Sequence, residues 1–148
     1  MSKVIKMIIA VSLFMAVSLQ AKDWETDFKK ASAAAKKSGK YMLVDFTGSD
    51  WCGWCIKLDK EVFDKKEFKK YAKANLVTVK LDFPRRKKLS KKLQKQNNEL
   101  MKKYGVRGFP TILILNSKGE QVAKTGYQAG GPEKYVEHLK KIIEDSKK

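Results

Sequence analysis

Two cysteines separated by two residues, placed directly after a strand-like segment, constrain the fold of this chain more than any other feature. Residues 41–47, YMLVDFT, form a mostly apolar run of strand length, which indicates a strand buried on both faces. Residues 48–51 are predicted to turn, and a helix is expected to begin near Cys52 and end near Lys60. The motif WCGWC at 51–55 therefore lies at a junction between a strand and a helix.

The placement of the cysteines favours reactive thiols over a purely structural disulfide. A two-residue loop restricts the unfolded chain less than a long loop, so such a bridge stabilises little. A helix N-terminus stabilises the thiolate, which is the nucleophile of disulfide exchange. We expect the sulfur of Cys52 to be exposed and that of Cys55, one turn into the helix, to be less accessible. Cys52 would then attack a substrate disulfide and Cys55 would resolve the mixed disulfide.

Hydrophobic periodicity predicts helices before and after this unit. The first repeat begins at Trp24, with Asp23 as its cap and Gly39 at its end, and includes Phe28, Ala31 and Ala35. Asp64 with Glu67 three residues later is typical of a capping box that opens another helix. Two more helices are predicted, one over residues 89–104 ended by Gly105, and one after Pro132 whose core face is Tyr135, Val136, Leu139, Ile142 and Ile143.

Strand signals complete the predicted topology. Residues 76–83, LVTVKLDF, alternate as a strand does, and residues 111–115, TILIL, form another. Residues 116–119 are a polar turn, from which 121–125 pairs back as a hairpin. Strands linked by helices favour parallel pairing and the hairpin favours an antiparallel edge, so we expect an α/β fold with a central mixed sheet.

Four segments in this order resemble the thioredoxin family. They are LVDF at 43–46, WCGWC at 51–55, VKLD at 79–82 and YGVRGFPT at 104–111. The resemblance covers roughly residues 23–146 and is closer to exported bacterial thioredoxin-like proteins than to thioredoxin itself. It implies a thioredoxin-like fold, with a central mixed sheet flanked by helices, and protein-disulfide oxidoreductase activity.

The resemblance also implies roles for individual residues. Cys52 is similar to the attacking thiol and Cys55 to the resolving thiol. Asp45 resembles the buried carboxylate that exchanges a proton with the resolving thiol, and Lys80 resembles the lysine near that carboxylate. Burial would raise the pKa of Asp45 towards the range that a proton relay needs. A hydrogen-bonded core acid and an ordinary strand-end lysine remain the alternatives for these two residues.

A substrate-contact surface is implied around the cysteines. Pro110 resembles the family's cis-proline, so the Phe109–Pro110 bond should be cis. The backbone beside it would pair with an extended substrate strand. Trp51 and Trp54 flank the cysteines, and we interpret them as exposed contact residues rather than core aromatics. Protein thiols or disulfides are the expected partners; the redox partner protein is not identified.

The sequence departs from thioredoxin in three features. Trp54 replaces the proline between the cysteines, one extra residue lies between Asp45 and Cys52, and the helix after residue 86 is strongly basic. The intervening pair tunes the redox potential, so the direction of electron flow stays open. We favour reduction or isomerisation; the alternatives are a dithiol oxidase and a non-enzymatic module that binds Cu(I) or a partner through its thiols.

The N-terminal segment predicts export. Lys3 and Lys6 precede an apolar run at 7–19 and a small residue, Ala21, which together are typical of a signal peptide over residues 1–21. The mature domain would be 22–148, a monomer located in the periplasm or secreted. An uncleaved signal would instead anchor the domain to a membrane.

The net charge of the chain and its numbers of histidine and cysteine bear on which partners and ligands it could bind. Lys and Arg number 33 against 16 Asp and Glu, which gives a formal net charge of +17. We interpret one cluster as a surface that attracts acidic partners, although a solvated surface is the simpler alternative; the cluster is Arg85, Arg86, Lys87, Lys88, Lys91, Lys92 and Lys95. The sequence has no nucleic-acid-binding signature and no nucleotide-binding motif. One histidine, His138, which we expect at the surface, and two cysteines are too few for a four-ligand zinc site, so we expect neither metal nor cofactor.

Overall fold

The computed structural model describes residues 24–148 and contains five α-helices and four strands. In chain order these are α1 (Phe28–Ser38), β1 (Tyr41–Thr47), α2 (Gly53–Leu58), α3 (Lys66–Asn75), β2 (Leu76–Asp82), α4 (Lys91–Lys103), β3 (Thr111–Leu115), β4 (Gln121–Thr125) and α5 (Gly131–Asp145). A π-helical turn, Asp59–Phe63, joins α2 to α3. The predicted α/β fold with a central mixed sheet is confirmed.

The strands form one sheet in the order β2-β1-β3-β4. β1 pairs with β2 in parallel and with β3 antiparallel, and β4 pairs antiparallel with β3. Two apolar cores cover the two faces of this sheet. The first contains side chains of α1 and α4, and the second contains side chains of α2, the π turn, α3 and α5. Because β1 is covered on both sides, its apolar run is buried as the sequence predicted.

The first helix begins later than the sequence predicted. Asp27, rather than Asp23, caps α1 by accepting from the backbone N–H of Lys30, and Asp23 lies outside the described residues. Trp24 is not helical, because its ring packs against Phe63 on the opposite side of the sheet from α1. The backbone after Trp24 pairs instead with β2, where the Lys80 N–H donates to the Glu25 carbonyl at 2.9 Å. Gly39 ends α1 with a positive φ of 73°, as predicted.

The helix after the cysteines is longer than predicted, and the predicted capping box is wrong. The chain stays helical past Lys60, because the π turn brings Val62 and Phe63 into the second core. Asp64 ends this turn by donating its N–H to the Asp59 carbonyl at 2.8 Å. α3 begins at Lys66 without a side-chain cap. Burial of two large side chains outweighs the local capping signal.

The remaining elements agree with the sequence. β3, the turn after it and β4 lie where the hairpin was predicted, and Ser90 caps the basic helix α4. Gly105 follows α4 with a φ of 59°. Pro132 lies in the first turn of α5, where its missing N–H costs no hydrogen bond. Within residues 24–148, no helix is both long and apolar enough to cross a bilayer.

Candidate active site

The two cysteines form a disulfide at the start of α2. Cys52 is the N-cap of α2, and its sulfur accepts the backbone N–H of Cys55 at 3.3 Å. Cys52 is 7% exposed and Cys55 2% exposed, so the order of accessibility is as predicted. Cys52 is nevertheless buried, so the expectation that its sulfur is exposed is not met in the disulfide form. N–H donation to a sulfur at a helix start lowers the free energy of a thiolate there.

Asp45 is a buried carboxyl on the sheet face that carries α2. It lies two residues after Leu43 along β1, so both side chains project from the same face, and Leu43 belongs to the core that includes Leu58 of α2. Asp45 is 2% exposed. In the described part of the chain, Asp45 Oδ1 and Thr47 Oγ1 are the buried side-chain atoms without a hydrogen-bond partner. Burial raises the pKa of Asp45 to about 7, against a lowering by the Lys80 charge.

Lys80 is hydrogen-bonded to Asp59, a carboxylate that was not predicted as its partner, rather than to Asp45. It is the register neighbour of Asp45 in the parallel pair β1–β2, yet its ammonium bonds Asp59 of the π turn at 3.1 Å. The same ammonium lies 4.9 Å from the centre of the Trp24 ring. Lys80 therefore acts on Asp45 through its charge, while its hydrogen bond holds the π turn against β2.

Asp59 was missed by the sequence analysis, although its spacing carried a signal. It lies four residues after Cys55, so both side chains project from the same face of one helical segment. Burial raises the pKa of Asp59, and the Lys80 charge and hydrogen bond oppose that change. Asp45, Asp59 and Lys80 thus form a partly buried charge cluster on the inner side of the helix that carries the cysteines.

Trp51 is an anchored side chain rather than a free contact residue. Its indole N–H donates to the Phe83 carbonyl at 2.8 Å, and the guanidinium of Arg85 lies 3.8 Å from its ring centre. A Cβ at position 48 would lie 2.5 Å from the indole, so only glycine fits beneath the ring. Trp51 is half-buried. The expectation that Trp51 is an exposed contact residue is therefore wrong for the part of its ring that Phe83, Arg85 and Gly48 cover.

Trp54 lies on the surface, as predicted. It is 57% exposed, and its ring centre is 5.1 Å from that of Tyr127, in the segment after β4. The ammonium of Lys57 lies 5.0 Å from the Trp54 ring, and the Tyr127 hydroxyl donates to Glu61 at 2.5 Å. The sequence did not predict that Tyr127 belongs to this surface. Its signal was weak, an aromatic residue in a glycine-rich segment that only the tertiary structure brings beside the motif.

The segment before β3 adopts the expected conformation. The Phe109–Pro110 peptide bond is cis. The Phe109 ring lies between two other aromatic rings, 5.0 Å from Phe83 and 5.9 Å from Trp51. A Cβ at Gly126 would approach the Pro110 carbonyl oxygen at 3.3 Å, so the end of β4 runs close beside the proline. One aromatic cluster therefore links the motif, the proline segment and the end of β2.

The remaining candidate residues lie away from the disulfide. His138 is half-buried rather than at the surface, because its Nε2 is 2.9 Å from the Thr125 hydroxyl and its ring contacts Tyr135 edge-on. Over residues 24–148, no group of three or more His, Cys, Asp or Glu side chains is arranged to hold a metal ion. The basic segment that follows β2 lies next to Trp51 through Arg85.

Comparison with known proteins places this geometry in a family. Residues 28–143 match the model of the thioredoxin-like domain. The chain is 35% identical over 120 residues to the disulfide bond reductase DsbH of Chlamydia pneumoniae, covering 81% of this chain and 72% of that protein. It is 32% identical over 117 residues to the thiol:disulfide interchange protein DsbD of Vibrio cholerae, covering 77% of this chain and 18% of that protein. A solved DsbH oxidoreductase structure superposes with a TM-score of 0.78 at 35% identity, covering 82% of this chain and 83% of that one.

Proposed function

The chain belongs to the thioredoxin-like family and is a protein-disulfide oxidoreductase, and from this premise we propose that it reduces or isomerises disulfides of exported proteins. The proposal rests on one observation above all, the disulfide between Cys52 and Cys55 at the start of α2. Its reductive direction is supported by the similarity to a protein named as a disulfide bond reductase. Export is supported by the basic and apolar pattern of residues 1–21, which lie outside the described residues.

The reaction proposed for the reduced protein has two exchange steps. The Cys52 thiolate attacks one sulfur of the substrate disulfide, forming a mixed disulfide while the other substrate sulfur leaves and takes up a proton. The Cys55 thiol then loses its proton, and its thiolate attacks the Cys52 sulfur. The Cys52–Cys55 disulfide forms and the second substrate thiol leaves, so two electrons have passed to the substrate. A dithiol protein would return the pair to its reduced form.

Cys52 suits the attacking role because of its position. As the N-cap residue it accepts the Cys55 N–H at its sulfur, and this donor at the helix N-terminus stabilises a thiolate without a base. Cys55 is the more buried residue, so its thiol loses a proton less readily unless an acceptor lies in the protein interior. The two thiols are therefore unequal before any substrate binds.

Asp45 is the proposed proton acceptor for Cys55. Its carboxyl is buried on the face of β1 that carries α2, with Oδ1 free of protein hydrogen bonds and a pKa near 7. A carboxyl that titrates near neutral pH can take a proton from the resolving thiol and return it. Lys80 and Asp59 are positioning residues in this scheme. The lysine charge keeps part of the Asp45 population ionised, and its bond to Asp59 fixes the lysine.

The substrate is proposed to lie across the exposed side of the motif. Trp54 with Tyr127 offers an aromatic surface, and the backbone at Pro110 offers an edge for an extended substrate segment. Phe109 supports this edge from beneath by packing against Phe83. Trp51 contributes indirectly, because it holds the turn that leads into Cys52.

A redox titration tests the proposed direction. The protein is equilibrated in glutathione buffers of graded ratio, and the reduced fraction of Cys52 and Cys55 is measured by alkylation and mass. A reductase should have a potential near that of thioredoxin, about −270 mV, and an isomerase one near about −180 mV. A value near about −120 mV, as in strong oxidants, would show that the chain is a dithiol oxidase instead.

A further inference from the structure

The segment that follows β2 encloses a basic pocket beside the active-site turn. Its volume is about 340 Å³, within the range of ligand-binding sites. Three cationic residues line it, Arg85, Lys87 and Lys88, together with Gln94 and Asn98 of α4. The Gln94 amide donates to the Leu89 carbonyl at 2.8 Å. From residue 85 to residue 95 the chain has seven basic side chains and no acidic one.

The backbone around this pocket is held rigidly by a carboxylate. Asp50, two residues before Cys52, accepts the backbone N–H groups of Arg85, Arg86 and Lys87 at 2.9, 2.8 and 3.1 Å. These bonds lower the pKa of Asp50. The contact was not foreseen from the sequence, because it joins two loops 35 residues apart. The basic segment is therefore fastened to the turn that carries Cys52.

The acidic groups near the pocket are already occupied. Asp82 receives the Ser49 backbone N–H at 2.9 Å, the Ser49 hydroxyl at 2.6 Å and the Lys87 ammonium at 3.1 Å. Asp50 is satisfied by the three N–H groups. Asp82 itself lines the pocket and neutralises Lys87, whereas Arg85 and Lys88 form no salt bridge with a carboxylate of the described residues. The positive charge of the pocket therefore exceeds what the neighbouring acids neutralise.

The basic residues continue into the first turn of α4, where their charge lowers the stability of the helix. The first turn of α4 contains Lys91 and Lys92 and no acidic residue, although the positive end of a helix favours acids. This turn begins two residues after Leu89 of the pocket wall, so its charge adds to the positive potential around the pocket.

We propose that this basic pocket binds an acidic segment of the protein substrate beside the disulfide that Cys52 attacks. The inference rests on the proposed function and names a substrate feature. Charge complementarity selects carboxylates, and Asn98, which lines the same pocket, carries an amide that can donate to them. Arg85 connects the pocket to the active-site turn, since it lines the pocket and stacks on Trp51.

Protein is favoured over nucleic acid or lipid as the acidic partner. Bases would need exposed aromatic rings for stacking, whereas Phe83 in the pocket stacks between Phe46 and Phe109. A lipid surface would need apolar side chains beside the cations. The apolar residues that line the pocket, Phe83, Pro84 and Leu89, are half-buried rather than exposed. In the described part of the chain the exposed large hydrophobic side chains, Trp54 and Ile56, are on α2.

The test uses matched peptides and matched variants of the full protein. Two cyclic disulfide peptides differ only in three flanking residues, Glu in one and Gln in the other, and a third, cysteine-free Glu peptide measures binding alone. Lys87→Gln/Lys88→Gln changes the pocket. Lys140→Gln/Lys141→Gln is the control, because it removes the same charge from a pair of adjacent lysines on α5.

Rates are measured in single turnovers of the reduced protein, at low salt and at physiological salt. We expect the wild type to reduce the Glu peptide about tenfold faster than the Gln peptide at low salt, with the ratio falling as salt is added. The ratio should fall towards one in the pocket variant and persist in the control. The cysteine-free Glu peptide should bind the wild type and the control several-fold more tightly than it binds the pocket variant.

Three results would overturn the inference. The first is a Glu-to-Gln rate ratio in the pocket variant that equals the wild-type ratio. The second is a fall of this rate ratio in the control variant as large as in the pocket variant. The third is binding of an RNA oligonucleotide or of anionic vesicles that depends on Lys87 and Lys88, while binding of the Glu peptide does not depend on them. Failure of the proposed function is distinguishable. If neither disulfide peptide were reduced but the cysteine-free peptide bound through the pocket, the function would fail and the pocket would stand.

Discussion

The reactive motif contains the dipeptide Trp-Cys twice, and the two copies have opposite environments. In the first copy Trp51 is fixed by a hydrogen bond to Phe83 and a stacked Arg85, while Cys52 is the less buried sulfur. In the second copy Trp54 is 57% exposed, while Cys55 is the more buried sulfur at 2%. The two identical residue pairs therefore have four different roles. Trp51 anchors the turn and Cys52 attacks the substrate, while Trp54 contacts the substrate and Cys55 resolves the mixed disulfide.

The start of α2 explains the difference. Trp51 and Cys52 precede the first helical residue. Trp51 lies in the turn after Gly48, where its indole reaches the Phe83 carbonyl, and the extended backbone of Cys52 leaves that residue at the helix terminus. Trp54 and Cys55 lie within the first turn, where successive side chains point about 100° apart. One is then directed to solvent and the other to the sheet. Position relative to a helix start, rather than residue type, assigns the roles.

The largest expected effect separates the two cysteines. Cys52→Ser should abolish reduction of a disulfide-bonded protein, a loss of more than about 10³-fold, because no nucleophile remains at the helix terminus. Cys55→Ser should also stop turnover but accumulate mixed disulfides, since only the resolving step is lost. Steady-state assays and non-reducing gels give both readouts. Full turnover by Cys55→Ala would show that the two-thiol scheme is wrong.

The next effect concerns the buried acid and depends on pH. The pKa of Asp45 is raised from 3.8 to about 7 by burial, so its contribution to stability is fully present below about pH 4 and is lost as pH rises through about 7. The Asp45→Asn variant has no carboxyl to ionise at this position, so its stability does not fall in this pH range. The variant should match the wild type near pH 4 and exceed its free energy of unfolding by about 4 kcal/mol at pH 8. Urea unfolding at several pH values measures the difference.

Asp50→Asn is the control for this experiment, because its effect has the opposite sign. Backbone hydrogen bonds lower the pKa of Asp50, so its stabilisation is present above its unfolded pKa and is lost as pH falls. The variant should be less stable than the wild type at pH 8. If Asp45→Asn showed the same sign as Asp50→Asn, the Asp45 carboxyl would not be the desolvated group described here.

The tryptophans give the third effect, on stability. Trp51→Ala removes a half-buried indole, its hydrogen bond and the stacked Arg85, and should cost about 3 kcal/mol of unfolding free energy. Trp54→Ala removes an exposed ring and should stay within about 1 kcal/mol of the wild type. Thermal or urea unfolding of both variants is the measurement. Equal losses of unfolding free energy in the two variants would show that Trp51 and Trp54 do not differ in their structural role.

A smaller effect tests what holds Trp51 in place. Gly48→Ala puts a Cβ 2.5 Å from the indole and should destabilise the protein by about 2 kcal/mol. In the Trp51→Ala background the same change should be nearly neutral, because the clashing ring is gone. A double-mutant cycle measures this coupling. Additive effects would indicate that the glycine is needed for another reason.

The smallest effect belongs to Trp54 as a contact residue. Trp54→Ala should lower kcat/KM for a folded protein disulfide by about threefold, since one edge of a larger contact surface is lost. A small neutral disulfide, which does not reach Tyr127, should react at the wild-type rate. Ile56→Ala, at the other exposed apolar residue on α2, is the comparison. An equal loss on both substrates would assign Trp54 a role in the thiol chemistry.

The sequence predicted those features that local pattern determines. The apolar run of β1, the helix start at the cysteines and the hairpin all follow from residues close in the chain. The π turn was not predicted, because its cause is the burial of Val62 and Phe63 against distant helices. The partners of Lys80 and of the Arg85 backbone were missed for the same reason. Both are carboxylates that tertiary packing brings near, Asp59 and Asp50.

The most direct test of the account compares the reactivity of the two thiols in one reduced protein. Brief alkylation with iodoacetamide at a series of pH values, followed by peptide mass measurement, gives a rate for Cys52 and for Cys55. We expect Cys52 to react more than about tenfold faster than Cys55 at pH 7, because the N-terminus of α2 stabilises its thiolate, and Cys55 to react only at higher pH. Equal rates, or a faster Cys55, would contradict the division of attack and resolution between the two Trp–Cys pairs.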